Sequence, residues 1–165
     1  KVGFIGAGTL SQLHELGYRD NDTGELYAIA DPAPGVAQSR KDQWGVQKAY
    51  TDHRELLADP DVDAVEILLP HHMHLPMKLE ALAAGKHVSL QKPMAISMDE
   101  GRQIAAAAAA SDRIFRVVEN YRTYVPYMQA KSMIDAGEIG DVVSIRVMIG
   151  RPKRSARRIR RCALR

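Results

Sequence analysis

The chain has 165 residues, of which 45% are hydrophobic and 26% charged, a composition typical of a globular domain. Its single cysteine, Cys162, excludes an internal disulfide, and no apolar run is long enough to span a bilayer, so we expect a cytoplasmic protein. The formal net charge of +3 comes from the end of the chain, where eight of residues 151–165 are basic. This leaves 15 basic against 20 acidic residues in 1–150, a balance that argues against a nucleic acid partner for residues 1–150.

Apolar segments with strand patterns alternate with segments of helical pattern along most of the chain. The predicted strands are 2–5, 26–30, 49–50, 64–69, 87–90 and 114–118. The predicted helices are 9–16, 35–43, 52–57 capped by Thr51, 75–84, an alanine-rich helix that follows a capping box at Ser97–Glu100, and a helix from Val125 that Gly137 ends. This alternation predicts an α/β fold with a doubly wound parallel sheet. A later segment, 142–149, alternates apolar and polar residues as a half-buried antiparallel strand does.

The first predicted strand leads directly into a glycine turn, Gly6-Ala-Gly-Thr-Leu-Ser11, which is G-x-G-x-x-G with serine in the third glycine position. Gly6 permits a sharp turn, and Gly8 lets a pyrophosphate approach the backbone at the start of a helix. Asp31 ends the second strand 20 residues after Ser11, where an acidic side chain binds the ribose hydroxyls of a dinucleotide. The alternative interpretation is a glycine-rich turn and an Asp-Pro turn without a ligand.

Several further motifs follow the glycine turn in an order that resembles a known family. They are Asp31-Pro32, Val62–Val65, Pro70 to His74, Ala84–Val88, Gln91-Lys-Pro93, Asn120-Tyr-Arg122 with Pro126, and Ile134 to Gly140. From residue 2 to about 150 the chain resembles the Gfo/Idh/MocA oxidoreductases, which include glucose-fructose oxidoreductase and inositol dehydrogenase. That family joins a Rossmann domain to a larger α/β domain with an open antiparallel sheet.

The resemblance implies three regions. Residues 1–120 would form the NAD(P)-binding Rossmann domain, and 121–150 would begin a truncated C-terminal substrate domain of which only the first strand is present. Residues 151–165 match nothing in the family, so we expect a basic tail that is non-native or disordered. The alternative for this tail is a basic arm that binds nucleic acid.

The resemblance also implies roles for individual residues, with NAD as the cofactor and NADP less favoured. The implied cofactor-binding residues are Gly6, Gly8, Thr9 and Leu10 at the pyrophosphate, Asp31 at the adenosine ribose, Pro70, His71 and His74 near the ribose or adenine, and Gln91, Lys92 and Asn120 towards the nicotinamide. Lys92 is the implied catalytic residue, and we expect desolvation to lower its pKa because it directly follows a buried strand. Gln91 stands where the family more commonly has glutamate. We expect no metal at His71, His72 and His74, and we interpret His14 as an ordinary helix residue.

The predicted function is NAD-dependent hydride transfer between nicotinamide and a sugar- or polyol-like substrate. The missing substrate domain would leave this form inactive, and the full-length form would be a homo-oligomer. The first alternative is a dinucleotide-binding module without catalysis, such as a redox sensor. The second is nucleic acid binding through 151–165.

Overall fold

The computed structural model describes residues 1–148, which divide into a first compact unit of residues 1–121 and a second that begins at Arg122. The strands are β1 (Val2–Ile5), β2 (Leu26–Ala30), β3 (Lys48–Tyr50), β4 (Ala64–Ile67), β5 (His87–Gln91) and β6 (Phe115–Val118). The helices are α1 (Ser11–Glu15), α2 (Val36–Trp44), α3 (His53–Ala58), α4 (His74–Ala83), α5 (Met98–Ala109) and α6 (Val125–Asp135). Within this part of the chain, no helix is both long and apolar enough to cross a membrane.

The six strands of the first unit form one sheet in the order β3-β2-β1-β4-β5-β6, and every neighbouring pair is parallel. The chain starts at β1 in the middle, builds outwards to β3, and then crosses back to β4 on the other side of β1. This confirms the predicted doubly wound parallel sheet. All strands end at the same edge, and the order reverses between β1 and β4, where such sheets form a crevice for ligands.

Apolar side chains cover both faces of the sheet, as a buried parallel sheet requires. Phe4 and Ile29 lie in the layer beneath α2, where the Phe4 ring meets Trp44 edge-on at a centroid distance of 6.4 Å. Ile5 points to the opposite face and joins the larger cluster with Ile67. Successive side chains of a strand alternate between the two faces, so β1 supplies both layers.

One of two predicted helix caps is wrong and the other is confirmed. Helix α3 is capped by Asp52 instead of Thr51, because the Asp52 carboxylate accepts the Arg54 N–H at 2.8 Å. Helix α5 has the predicted cap, in which Ser97 Oγ accepts the Glu100 N–H at 3.2 Å. The Glu100 carboxylate accepts from the Ile96 N–H at 3.1 Å and so holds the residue before the cap.

The strand predicted at 142–149 is the main error in the predicted fold. In the second unit, α6 begins with Pro126 in its first turn, and Gly137 follows it at φ +74°, as expected. Residues 142–148 form no regular secondary structure, and Ile149 and the tail 151–165 lie outside the described residues. A strand is held by hydrogen bonds to a neighbouring strand, and apolar–polar alternation cannot supply that neighbour.

Lys78 on α4 is a buried charge that should make stability depend on pH. Its side chain is fully buried, its ammonium donates to the Ile104 carbonyl and lies 4.1 Å from the centre of the Phe115 ring, and burial lowers its pKa to about 8. In the unfolded chain the pKa returns to its ordinary value of 10.5. Between these two values the unfolded state binds more protons than the native state, so stability rises as the pH rises.

We therefore expect Lys78→Met to raise the free energy of unfolding at pH 7 by on the order of 1 kcal/mol, because it removes a buried charge. The advantage of the variant should shrink between pH 8 and pH 10, where native Lys78 has lost its proton. Urea unfolding of both proteins at three pH values measures the difference. A constant difference across that range would contradict the lowered pKa.

Candidate functional site

The carboxyl edge of the sheet brings together the segments that the sequence singled out. In the order of the strands, these are Asp31 after β2, the glycine turn after β1, the loop 70–74 after β4, Gln91–Pro93 at β5 and Asn120 after β6. Neighbouring strands lie about 4.8 Å apart, so the row from Asp31 to Lys92 crosses three spacings, about 14 Å. The edge therefore presents a continuous row of loops, in which the glycine turn lies between Asp31 and the loop 70–74.

The two glycines of the turn have different structural roles. Gly6 has φ +101°, and a Cβ on it would lie 2.7 Å from the Leu68 carbonyl oxygen, so the fold itself requires glycine there. Gly8 is exposed, its φ is not positive, and a Cβ on it would meet nothing within 4 Å. Nothing in the described residues explains a glycine at position 8, and the space in front of it is open to a ligand.

The backbone beyond Gly8 is arranged as a set of available donors. Helix α1 begins at Ser11, two residues later than predicted, because Thr9 and Leu10 form a turn. Among the described residues, none accepts a hydrogen bond from the N–H groups of Gly8, Thr9 or Leu10. Ser11 fits the third glycine position because its buried hydroxyl donates to the Gly8 carbonyl at 2.6 Å. These exposed N–H groups are suited to an anion.

Asp31 is held firmly at the end of β2. Its Oδ2 accepts the Ala7 N–H at 2.8 Å, and its Oδ1 accepts the Ala33 N–H at 2.9 Å. The carboxylate therefore fixes the glycine turn and also closes the turn that follows β2. It stays half-buried, and each oxygen keeps a second lone pair for a hydroxyl.

His74 does not line the edge as expected. Its side chain is fully buried, with Nδ1 2.8 Å from the Pro93 carbonyl oxygen and Nε2 3.0 Å from that of Leu69. It therefore ties the loop after β4 to the loop after β5. The reason lies in the helix, since His74 shares the buried face of α4 with Met77, Lys78 and Ala81, at the spacing of one helical stripe.

The other residues of this loop are exposed. Pro70, His71 and His72 remain available at the edge, and the His71 ring meets that of His74 edge-on at 5.6 Å. Among residues 1–148, no group of three or more His, Cys, Asp or Glu side chains could hold a metal ion.

Lys92 lies at the predicted edge, but it is not desolvated. Burial ends at Gln91, which is 8% exposed, whereas Lys92 is exposed, and its ammonium has no partner among the described residues. The expectation that Lys92 is buried is wrong in the described part of the chain, because Lys92 is the first residue past the end of β5. Its backbone does have a partner, since the Lys92 N–H donates to Gln91 Oε1 at 2.8 Å.

Asn120 lies at the same edge, beside β5. It begins a short 3₁₀ turn, Asn120–Thr123, two residues past Val118, the last residue of β6, which pairs with Gln91 in the sheet register. Its side chain is exposed.

A polar network beneath the edge was not predicted. We call the residues His14, Tyr18, Glu66, Ser89 and Gln91 the Glu66 network. Glu66, on the central strand β4, is 5% exposed; Oε1 lies 2.8 Å from His14 Nδ1, and Oε2 accepts the Tyr18 hydroxyl at 3.2 Å. Burial and the neighbouring Glu66 carboxylate raise the pKa of Tyr18 well above its ordinary value. His14 also reaches Gln91, and the only signal in the sequence was one glutamate within the apolar run 64–69.

Comparison with known protein families agrees with this architecture. Residues 1–119 match the model of the oxidoreductase family with an NAD-binding Rossmann fold, Gfo/Idh/MocA. The chain is 30% identical over 153 residues to a levoglucosan dehydrogenase of Pseudarthrobacter phenanthrenivorans, covering 88% of this chain and 39% of that protein. It is 29% identical over 147 residues to the myo-inositol 2-dehydrogenase of Thermotoga maritima, covering 89% of this chain and 44% of the relative.

Solved structures show the same similarity. A crystal structure of scyllo-inositol dehydrogenase from Lactobacillus casei with bound NAD(H) and scyllo-inositol superposes with a TM-score of 0.79 at 28% identity. The match covers 85% of this chain and 42% of that one. The chain thus spans about two fifths of the length of the proteins that it matches.

Proposed function

Because the chain belongs to the Gfo/Idh/MocA oxidoreductase family, we propose that it holds NAD across the carboxyl edge of its sheet, as the cofactor-binding part of a dehydrogenase. The observation that carries this proposal is the space in front of Gly8, beside the exposed N–H groups of Thr9 and Leu10. A diphosphate group is the anion that a turn of this kind binds between a strand and a helix.

The order of the loops along the carboxyl edge supports one orientation of the bound dinucleotide. Asp31 accepts the adenosine ribose hydroxyls on one side of the glycine turn, and Lys92 and Asn120 lie two and three strands away on the other side. The nicotinamide end therefore lies towards β5 and β6, past the exposed Pro70 and His71. Because a fixed carboxylate repels a 2′-phosphate, this arrangement favours NAD over NADP.

Lys92 is the residue that we assign to proton transfer. Bound NAD supplies the hydride acceptor for oxidation of an alcohol, while the hydroxyl proton must pass to a base. Lys92 lies at the carboxyl edge of the sheet, and its amine has no competing partner among the described residues. Its exposure means that a substrate or a further part of the protein must cover it before burial can favour the neutral amine.

The proposed substrate class is a sugar or polyol, the class to which inositol, the substrate named for two of the relatives, belongs. Since the chain spans about two fifths of those proteins, we propose that it binds NAD on its own but does not turn over a substrate.

Titration calorimetry with NAD⁺, followed by assays of NADH formation with a panel of polyols, tests this proposal. We expect saturable binding of one NAD⁺ per chain, and no NADH above that formed without protein. Absence of saturable binding would contradict the proposed site, and robust turnover would contradict the need for further residues. Fusing the chain to the C-terminal domain of a relative separates the alternatives, because a dehydrogenase half should then gain activity and a binding module should not.

A further inference from the structure

The hydrogen bonds of the Glu66 network determine where the protons lie. The Lys92 backbone N–H can only donate, so the Gln91 atom that faces it at 2.8 Å is the carbonyl oxygen Oε1. The other end of the same amide, Nε2, can only donate, and it lies 2.9 Å from His14 Nε2. His14 Nε2 must therefore accept, and the proton of a neutral imidazole must lie on Nδ1.

The other side of the imidazole agrees with this assignment. His14 Nδ1 lies 2.8 Å from Glu66 Oε1, and a carboxylate oxygen accepts. The same carboxylate receives the Tyr18 hydroxyl at 3.2 Å and the Ser89 hydroxyl at 3.4 Å, so it is supplied with donors although it is buried. The network is thus a directed series in which every donor meets an acceptor, from Lys92 to Glu66.

This series connects two parts of the proposed cofactor site. His14 is on α1, directly after the glycine turn, whereas Gln91 and Lys92 are at the end of β5. The His14 side chain is 16% exposed, and Gln91 is 8% exposed. Water therefore has little access to the hydrogen bonds that the Gln91 amide makes with His14 and with the Lys92 N–H.

We propose that His14 is a positioning residue that holds Lys92 in place through Gln91, and that it does so as the neutral imidazole protonated on Nδ1. The role of Lys92 at the nicotinamide rests on the proposed function; the positioning itself does not. Like the Gln91 amide, the His14 ring both donates and accepts, and a proton on its Nε2 would turn the Gln91 amide away from Lys92.

The chain offers a matched control in a second histidine–glutamate pair. His53 Nε2 lies 2.8 Å from Glu80 Oε2, between α3 and α4, and this pair has no bond to the Gln91–Pro93 segment. Replacing His53 removes the same type of contact without touching the proposed series.

Nuclear magnetic resonance of the ¹⁵N-labelled chain tests the proposal without any cofactor. In the wild type at pH 8, long-range ¹H–¹⁵N spectra should show His14 as the Nδ1–H tautomer. In His14→Asn, the new amide can still donate to Glu66 but cannot reach Gln91, so exchange of the Lys92 N–H should accelerate at least tenfold. The N–H groups of Val88 and Leu90 should be unchanged, and His53→Asn should leave Lys92 unchanged.

Gln91→Glu gives a further signature that packing alone would not produce. A carboxylate at this position accepts, so His14 should acquire its second proton and show both ring nitrogens protonated. An Nε2–H tautomer in the wild type, or Lys92 exchange unaffected by His14→Asn, would overturn the proposal. Because an Nε2–H tautomer in the wild type would overturn the proposal by itself, the proposal can be contradicted even if a variant fails to fold. A chain that shows the predicted tautomer but binds no NAD⁺ would contradict the proposed function alone.

Discussion

Gly8→Ala should weaken NAD⁺ binding at least 100-fold while leaving the stability of the chain within about 0.5 kcal/mol of the wild type. A Cβ at this position meets no atom within 4 Å, and the backbone is not in the left-handed region, so the folded chain accommodates it. The added methyl group would fill the space through which a diphosphate must approach the exposed N–H groups. The effect should therefore fall on binding alone.

Gly6→Ala is the matched variant with the opposite expected profile. Its Cβ would lie 2.7 Å from the Leu68 carbonyl oxygen at a φ of +101°, so it should lower the free energy of unfolding by about 2 kcal/mol or more. Urea unfolding and calorimetric titration of both variants separate the two effects. If Gly8→Ala binds NAD⁺ within threefold of the wild type, the diphosphate does not lie on this turn.

Asp31 should make the chain prefer NAD⁺ over NADP⁺ by at least tenfold, and Asp31→Asn should remove most of that preference. The extra phosphate of NADP⁺ would lie against a carboxylate that cannot turn away, because the N–H groups of Ala7 and Ala33 hold both of its oxygens. Asparagine keeps one acceptor oxygen without the charge, so NAD⁺ should bind about tenfold more weakly and NADP⁺ no worse. Like-charge repulsion at short range accounts for an effect of this size.

Parallel titrations with the two cofactors measure the preference. Asp112→Asn is the control, because among residues 1–148 this exposed carboxylate pairs only with its neighbour Arg113, and it precedes β6 at the opposite edge of the sheet. Equal affinity of the wild type for both cofactors, or a preference unchanged in Asp31→Asn, would contradict the assignment of Asp31 to the ribose.

The fold and the residues along the carboxyl edge could be predicted from the sequence, because both follow from the order of strands and helices along the chain. Apolar runs separated by helical segments can form a parallel sheet with few alternatives, and such a sheet brings all its carboxyl ends to one edge. The positions of Gly6, Gly8, Asp31 and Lys92 at that edge follow from their places directly after strands. The comparisons with known proteins confirm the family that these motifs indicated.

The direction of individual side chains could not be predicted in this way. His14 and Glu66 are 52 residues apart, and only the folded sheet shows that they meet. The family resemblance implied that His74 lines the cofactor site, but the first turn of α4 directs it into the core.

Two further predictions were wrong for one physical reason. Each described a property that depends on residues outside the short segment from which it was predicted. Lys92 was expected to be desolvated, but burial requires a cover that the described residues do not provide. The segment 142–149 was expected to be a strand, but a strand requires a partner.

The central claim is that a dinucleotide lies across the carboxyl edge, with its diphosphate at Gly8 and its nicotinamide beside Lys92. The most direct measurement is a set of intermolecular nuclear Overhauser effects between NAD⁺ and the labelled chain. We predict contacts from the nicotinamide protons to Gln91–Pro93, and from the adenosine ribose protons to the residues around Asp31. Nicotinamide contacts at the amino edge of the sheet, near Asp63 or Lys86, would contradict the account.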